Sequence, residues 1–495
     1  MLTTFAAILL IAQVQSGRDS APPIGRWRGV WVRDGDSLPV TFDFNLAGDS
    51  MTGTFASEGL RVSGIPLRAV AYRRPTLHFE LRGDEGTTRC DATLSTDALT
   101  GESRDGDARG SFALRRTPRD TLGEFGERDA VFVNGSARLA GTLLLPRRGG
   151  PLPAVVFLQG SGAEERSANR YLAEQFARNG IAALIYDKRG AGASTGDWRH
   201  STLGDLAADA DSALTWARQQ PEINAGMVGI YGHSQGAIVG AMVAGGATQP
   251  AFLIASAAAG ISLEAVERYS VGHAVGIDSL PPHEAADARS YVNALVHTAY
   301  TGRDAARLDS LVMRDSARPW FMPPPGRDSY YWSFARSLSR LDLADVWSRI
   351  HVPVLLLYGA LDQRIPPRQS IEGITRALGR AGNRRYEVRV FPGADHTFRT
   401  ASRRGGQFRW PQSPPDYLPT IIAWTRSVTR IDHPGSTGNR DGRGHGRRAA
   451  SPSAGTAELD PRLPRQPWLS GQHPRTTGNH SAELTVVTDA VRSAR

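Results

Sequence analysis

The sequence predicts an α/β protein in which a mostly parallel sheet, covered by helices on both faces, follows a small antiparallel β-sandwich or barrel. Two stretches of different pattern indicate this. Between residues 26 and 116, short runs alternate polar and apolar side chains and are separated by Gly and Asp, which is typical of antiparallel strands. From about Ala130, apolar runs alternate with helical stretches, as in strand–helix–strand units. A chain of 495 residues is also longer than one core usually supports.

The first pattern predicts a β-rich N-terminal domain at residues 17–118. Its strand-like runs are WRGVWV, LPVTFDFNL, MTGTF, LRVSGIPL, LHFEL and GSFAL. Such a domain either holds an apolar ligand or a sugar, or serves for packing or dimerisation, and the sequence leaves both interpretations open. Cys90, the only cysteine, is interpreted as a half-buried structural thiol, because a single cysteine cannot form an intramolecular disulfide.

The second pattern predicts a larger domain at residues 119–430. Its buried strands are indicated by AVVFLQ, AALIYD, MVGIYG, AFLIAS and PVLLLYG, and its helices by stretches such as YLAEQFARNG and LAADADSALTWARQ. The alternation breaks between about 261 and 348, where an insert looks helical and is rich in Arg, Tyr and Trp. We expect this insert to form a lid over a substrate pocket.

The two ends of the chain differ from the rest. Residues 1–16 contain an apolar run followed by Val14-Gln15-Ser16, which predicts a signal peptide and a secreted or periplasmic protein. The run lacks the usual basic residue before it, so a misassigned start codon or a short buried helix is the alternative. Residues 431–495 are rich in Gly, Arg, His, Ser and Pro, which predicts a disordered basic tail. No apolar run reaches the length that spans a membrane.

The chain carries a formal charge of +9, which raises the question of a nucleic acid partner. Its arginines are scattered through every region and do not line one helix, so no nucleic acid partner is expected. Lys188 is the only lysine in the sequence. Its retention among so many arginines indicates a local structural need.

Two serines match the pattern Gly-x-Ser-x-Gly of a hydrolase nucleophile, Ser194 and Ser234. Ser234 follows the apolar run 227–231 and precedes the helical run 237–243, which is the strand, sharp turn and helix of a nucleophile elbow. Ser194 also follows a strand-like run, but the polar, turn-prone sequence GDWRH comes after it. We therefore predict that Ser234 is the nucleophile and Ser194 a loop residue.

A serine nucleophile needs a histidine base and an acid that orients the histidine. Asp362 comes just after the strand-like run 354–359, and His396 comes just after the run 386–391. The order Ser234, Asp362, His396 resembles that of the α/β-hydrolases. Asp395 is an alternative acid, although its position next to His396 in sequence is poor for reaching the far ring nitrogen.

Backbone N–H groups must also stabilise the oxyanion that develops on the substrate. The first is predicted at Gln235, directly after the nucleophile. The second is predicted at Ser161, in the Gly-Ser-Gly loop that follows the run 154–159. A tight glycine turn that serves packing alone is the alternative interpretation of this loop.

Five motifs, LQGSG, YDKRGAGAS, GHSQG, GALDQRIP and PGADHTF, occur in this order. Over about residues 130–428 the chain resembles the bacterial EstD-type esterases of the α/β-hydrolase superfamily, which are related to dienelactone hydrolases and serine aminopeptidase-like hydrolases. The resemblance implies hydrolysis of carboxylic esters, with Ser234, Asp362 and His396 matching the family triad. Gln159 departs from the pattern, since many superfamily members carry His there.

The predicted function is therefore cleavage of a small-molecule ester through an acyl-enzyme on Ser234, with no metal or organic cofactor implied. A serine peptidase with the same triad is the first alternative. It is expected to add acidic groups in the lid that bind a substrate amino terminus, and Glu264 and Glu267 are the candidates. A non-enzymatic ligand-binding protein that uses the β domain is the second alternative.

Overall fold

The computed structural model describes residues 22–82, 86–118, 125–147, 149–400, 403–404 and 407–429. The predicted signal peptide at 1–16 and the predicted basic tail at 431–495 lie outside these residues. Within them, no helix combines the length and the apolar character needed to cross a membrane.

The first sheet has nine strands, and every neighbouring pair in it is antiparallel. Its spatial order is β4-β3-β2-β1-β9-β8-β7-β6-β5. Its strands are β1 (Gly25–Arg33), β2 (Asp36–Ala47), β3 (Ser50–Ser57), β4 (Val62–Pro66), β5 (Arg68–Arg73), β6 (Thr76–Arg82), β7 (Thr87–Leu94), β8 (Ala98–Asp105) and β9 (Ala108–Thr117). Leu67 N–H donates to Gly53 O at 2.8 Å, which brings the β4–β5 connection back to β3. The sheet is thus barrel-like, as the alternating pattern predicts.

Aromatic side chains fill the interior of this sheet. Along β2, every second residue from Leu38 to Phe44 is buried, and the rings of Phe42 and Phe79 lie 5.1 Å apart. A cavity of about 150 Å³ lies at the mouth of the sheet, beside Trp31 and Trp410. Cys90 lies in the same core and is fully buried, not half-buried as predicted, and burial raises its pKa to about 12.

The second sheet has eight strands in the order β10-β11-β13-β12-β14-β15-β16-β17. Strand β11 pairs antiparallel with β10 and with β13. Every other neighbouring pair in this sheet is parallel. Its strands are β10 (Phe125–Asn134), β11 (Ala137–Pro146), β12 (Leu152–Leu158), β13 (Ala182–Tyr186), β14 (Ile223–His233), β15 (Leu253–Ser256), β16 (Val354–Gly359) and β17 (Tyr386–Phe391). Two-residue strands β18 (Arg403–Arg404) and β19 (Gln407–Phe408) pair with each other.

Helices cover both faces of the second sheet, as predicted. They are α1 (Ser167–Arg178), α2 (Leu203–Arg218), α3 (Gln235–Ala244), α4 (Leu263–Ala274), α5 (Pro282–Thr301), α6 (Ala305–Asp315), α7 (Tyr330–Leu338), α8 (Leu343–Ser348), α9 (Pro367–Arg380) and α10 (Tyr417–Val428). Helices α1 and α10 pack on one face, and the others contribute to the core on the opposite face. The predicted insert forms helices α4 to α8. Trp347 of α8 anchors it by donating from Nε1 to Ala259 O at 3.0 Å.

The topology brings the predicted site residues to one edge of the second sheet. Strands β12, β14, β16 and β17 are parallel, so their carboxyl ends lie at the same edge. Ser161, Ser234, Asp362 and His396 follow these four strand ends in that order.

Candidate active site

Ser234 lies at a sharp turn between β14 and α3. Its backbone has φ 54° and ψ −116°, a conformation that is strained for a residue with a side chain. The two flanking glycines make the turn sterically feasible. A Cβ on Gly232 would lie 2.1 Å from Gly236 O, and a Cβ on Gly236 would lie 2.7 Å from Gln159 O. The strand, turn and helix predicted from the sequence are therefore present at Ser234.

Ser194 is held in a structural hydrogen-bond network. Its Oγ donates to Asp187 O at 2.7 Å and accepts from Ala140 N–H at 3.0 Å. The side chain is buried, and these two bonds fix the loop that follows β13. Ser194 is thus a loop residue, as the sequence predicts.

The structure joins His396 to Asp362. His396 Nδ1 lies 2.8 Å from Asp362 Oδ2. Asp362 Oδ1 accepts from the backbone N–H groups of Arg364 and Ile365 at 2.8 and 2.9 Å. These three contacts fix a carboxylate that is 1% exposed. Because Nδ1 faces the carboxylate, Nε2 is the ring nitrogen left to exchange a proton with a reacting group.

Asp395, the alternative acid, contacts its own loop instead. Its Oδ1 accepts from the N–H groups of Thr397 and Arg399 at 2.8 and 2.9 Å and from Thr397 Oγ1 at 2.9 Å. Asp395 thereby shapes the turn that carries His396. The contact with the imidazole comes from Asp362.

His233, the residue before Ser234, packs against His396, which the sequence analysis did not anticipate. The centroids of the two rings lie 4.8 Å apart, and His233 Nδ1 lies 3.2 Å from Ser256 Oγ. Burial holds the pKa of His233 well below its ordinary value, and the nearby His396 and two arginines lower this pKa further. His233 therefore stays neutral at ordinary pH, and the residue directly before Ser234 lies against the His396 ring.

The two predicted oxyanion donors face one small cleft. Ser161 and Gln235 both line a cavity of about 20 Å³, together with Gly162, Lys188, Trp198, Leu206, Tyr330 and Phe334. In the described part of the chain, neither the Ser161 N–H nor the Gln235 N–H donates to a protein acceptor. Gly160 N–H, by contrast, donates to Glu164 Oε2 at 2.7 Å. Ser161 and Gln235 therefore line one cleft and have backbone N–H groups without a protein acceptor among the described residues.

Lys188 ties the two sides of this cleft together. Its side chain is almost completely buried, and its Nζ donates to Gly160 O and to Gln235 Oε1, the latter at 3.1 Å. Gln159 points elsewhere, because its amide donates to Tyr186 O. The single lysine of the sequence thus has the structural role that its retention indicates. Its contacts with the oxyanion loop were not predictable.

A larger groove begins at the same loop. It has a volume of about 780 Å³ and includes Ser161, Trp198 and His233 in its wall. Residues of the first sheet, from Leu60 to Arg68, form another part of the wall. The groove is therefore bounded by residues of both sheet-containing parts of the chain, and the small cleft lies on the side of the inserted helices.

The two acidic residues proposed for an amine-binding peptidase lie outside both cavities. Glu264 pairs with Arg268 one turn along α4. Glu267 is buried, and this burial raises its pKa to about 7 despite the nearby Tyr331 hydroxyl. The described residues contain no group of three or more His, Cys, Asp or Glu side chains arranged to hold a metal ion.

Comparisons with known proteins identify a family and several partial relatives. The sequence profile of the X-Pro dipeptidyl-peptidase (S15) family matches residues 134–385. Over 113 residues the chain is 35% identical to an uncharacterized protein of Mycobacterium tuberculosis, a match that covers 23% of this chain and 39% of that protein. Over 111 residues it is 33% identical to the thiohydrolase aneE of Aspergillus aculeatus, covering 22% and 34% of the two chains. The structure of the Pyrococcus furiosus esterase Pf2001 superposes with a TM-score of 0.39 and 17% identity, covering 63% of this chain and 95% of that one.

Proposed function

We propose that this chain, which belongs to the X-Pro dipeptidyl-peptidase (S15) family of serine hydrolases, cleaves carboxylic esters through an acyl-enzyme on Ser234. The observations that carry the proposal are the Asp362–His396 hydrogen bond of 2.8 Å, the strained elbow at Ser234 and the packing of His396 against His233, the residue before Ser234. This arrangement supplies the nucleophile, the base and the group that orients the base.

Each step of the proposed reaction uses one of these groups. His396 Nε2 accepts the proton of Ser234 Oγ while Oγ attacks the ester carbonyl carbon. The N–H groups of Gln235 and Ser161 stabilise the resulting oxyanion. When the tetrahedral intermediate collapses, the protonated His396 gives its proton to the leaving alcohol. Water then attacks the acyl-enzyme by the same route and releases the carboxylic acid and free Ser234.

The charge around the site favours an ester over a peptide with a free amino terminus. The large groove is lined by six arginines and two glutamates, so a protonated amine would meet like charge there. Glu264 is paired and Glu267 is buried with a raised pKa. Neither supplies an available negative charge for an amine.

A peptidase is the second candidate, and the match to the X-Pro dipeptidyl-peptidase profile favours it. It uses the same triad and differs in the substrate. Comparison of X-Pro p-nitroanilides with p-nitrophenyl esters separates the two candidates.

The test of the proposed function is hydrolysis of p-nitrophenyl esters of increasing acyl length. We expect short acyl groups to react best, because the cleft beside Ser161 and Gln235 has a volume of only about 20 Å³. Ser234→Ala should lower kcat by about 10⁴-fold or more, whereas Ser194→Ala, a matched serine in the same sequence pattern, should keep most of the activity. A wild-type protein that cleaves the X-Pro anilide but no ester, or an inactive Ser194→Ala beside an active Ser234→Ala, would contradict the proposal.

A further inference from the structure

The large groove has a wall that the first sheet supplies. Leu60, Arg61 and the residues of β4 face it from that sheet, and Thr397, Phe398 and Arg399 face it from the loop that carries His396. Its volume of about 780 Å³ lies within the range of small-molecule sites. The small cleft beside Ser161, with a volume of about 20 Å³, has room for about one water-sized group, so the larger part of a substrate has to lie in the groove.

The groove has an excess of positive charge. Its wall contains six arginines, Arg61, Arg68, Arg82, Arg199, Arg364 and Arg399, against Glu164 and Glu165. Glu164 accepts a hydrogen bond from Gly160 N–H at 2.7 Å and is therefore engaged with the oxyanion loop. A cleft with charges of one sign concentrates ligands of the opposite sign.

Arg61 is the arginine whose contacts point most clearly to a ligand. Its Nη2 donates to the carbonyl oxygens of Thr397 and Phe398 at 3.1 and 3.4 Å. Its guanidinium carbon lies 4.2 Å from the centre of the Tyr417 ring. Its Nε and Nη1 are buried and have no hydrogen-bond acceptor among the described residues. No described carboxylate therefore accepts a hydrogen bond from this guanidinium. Its two carbonyl acceptors, on Thr397 and Phe398, directly follow His396 in sequence.

We propose that the groove binds the larger part of the ester substrate and that this part carries a carboxylate or an equivalent anion, recognised by Arg61 with Arg68 and Arg82. The inference rests on the proposed esterase function and specifies its substrate class. Guanidinium groups suit this role because they bind carboxylates through two parallel hydrogen bonds. The first sheet then determines specificity, while the second sheet carries the reacting groups.

The test uses two acetate esters that differ in charge. In 4-acetoxybenzoate the aryl part carries a carboxylate, and in 4-acetoxybenzamide it is neutral and of similar shape. We measure kcat/KM for both esters with the wild-type protein and each variant, and we compare the ratio of the two values. Dividing a variant's ratio by the wild-type ratio cancels the different reactivity of the two leaving groups.

Three variants and one control separate recognition from catalysis. Arg61→Ala should lower the anionic-to-neutral ratio about tenfold, mainly through KM, and Arg61→Lys should restore part of it. The double variant Arg68→Ala/Arg82→Ala should lower the ratio about threefold, since both side chains are exposed. The control Arg340→Ala removes one exposed positive charge outside the groove and should leave the ratio unchanged.

The outcomes distinguish this inference from the proposed function. If the wild-type protein hydrolyses 4-acetoxybenzamide but no groove variant changes the ratio by more than about twofold, the anion site is refuted and the esterase function stands. If Arg61→Ala slows both esters equally, Arg61 only supports the His396 loop, and its recognition role is refuted. If the wild-type protein hydrolyses neither ester, the proposed function fails and the inference fails with it.

Discussion

Replacement of Lys188 by methionine removes a buried positive charge while keeping the length and much of the volume of the side chain. The lost contacts are those of Nζ with Gly160 O and with Gln235 Oε1. Gly160 directly precedes Ser161, and Gln235 is itself one of the two predicted oxyanion donors. We expect the loop at Ser161 and the start of α3 to shift relative to each other, so that two backbone donors no longer converge on one oxygen.

The size of the effect follows from these contacts. A hydrogen bond that involves a charged group contributes about 1.5–3 kcal/mol, and removal of a whole oxyanion donor costs about 3–4 kcal/mol of transition-state stabilisation. Displacement of a donor that is still present should cost less, about 2 kcal/mol. That corresponds to a fall of about 30-fold in kcat/KM. The fall should appear in kcat more than in KM, because the oxyanion contacts form in the transition state.

The assay is hydrolysis of p-nitrophenyl acetate, with titration of Ser234 by a fluorophosphonate to count competent sites and urea unfolding to check the fold. Lys188→Arg should also be impaired, since a larger guanidinium enters a side-chain site that is 3% exposed. Arg340→Met, which removes an exposed cation elsewhere, serves as the control. The reasoning would be refuted by a folded Lys188→Met protein in which the fluorophosphonate labels every Ser234 and kcat/KM stays within about threefold of wild type.

Two further changes test the elbow and the buried carboxyl. Gly232→Ala places a Cβ 2.1 Å from Gly236 O. It should therefore lower the free energy of unfolding, measured in urea, by about 3 kcal/mol and abolish fluorophosphonate labelling. The control Gly379→Ala lies in α9, where the added Cβ meets nothing within 4 Å, and it should raise the free energy of unfolding by about 0.5–1 kcal/mol. Between pH 4.5 and about 7, folded Glu267 keeps a proton that the unfolded chain has lost, so this group's contribution to stability falls by about 3 kcal/mol as pH rises through that window. Urea unfolding of Glu267→Gln at several pH values should lack this fall, and identical pH profiles for the variant and the wild type would disprove it.

The fold was predictable because its signals are local. Buried and less buried residues alternate along β2 because one face of that strand meets the core. The residues of β12 form a continuous apolar run because both faces of that strand are buried. The elbow at Ser234 was recognisable for the same reason, since the strand, the glycines and the helix are adjacent in sequence. Asp362 and His396 were placed by a rule of topology, namely that parallel strands end at one edge.

The parts that escaped prediction depend on contacts between distant residues. Arg61 reaches Thr397, 336 positions away, and no pattern around residue 61 indicates that contact. The retention of Lys188 indicated a structural need, but its partners Gly160 and Gln235 become visible only when three loops meet. The complete burial of Cys90 likewise depends on how the strands of the first sheet close on one another.

The contacts between the first sheet and the His396 loop have a consequence for how the protein reaches its native state. Arg61 bonds to Thr397 O, Arg399 bonds to Leu60 O at 3.0 Å, and Trp410 N–H bonds to Asp36 Oδ2 at 2.7 Å. These contacts join residues separated by 336 to 374 positions, and such long loops close late in folding. During synthesis, the first sheet emerges long before its partner loop. The groove is therefore completed only after the loop that carries His396 has been synthesised and has docked on the first sheet.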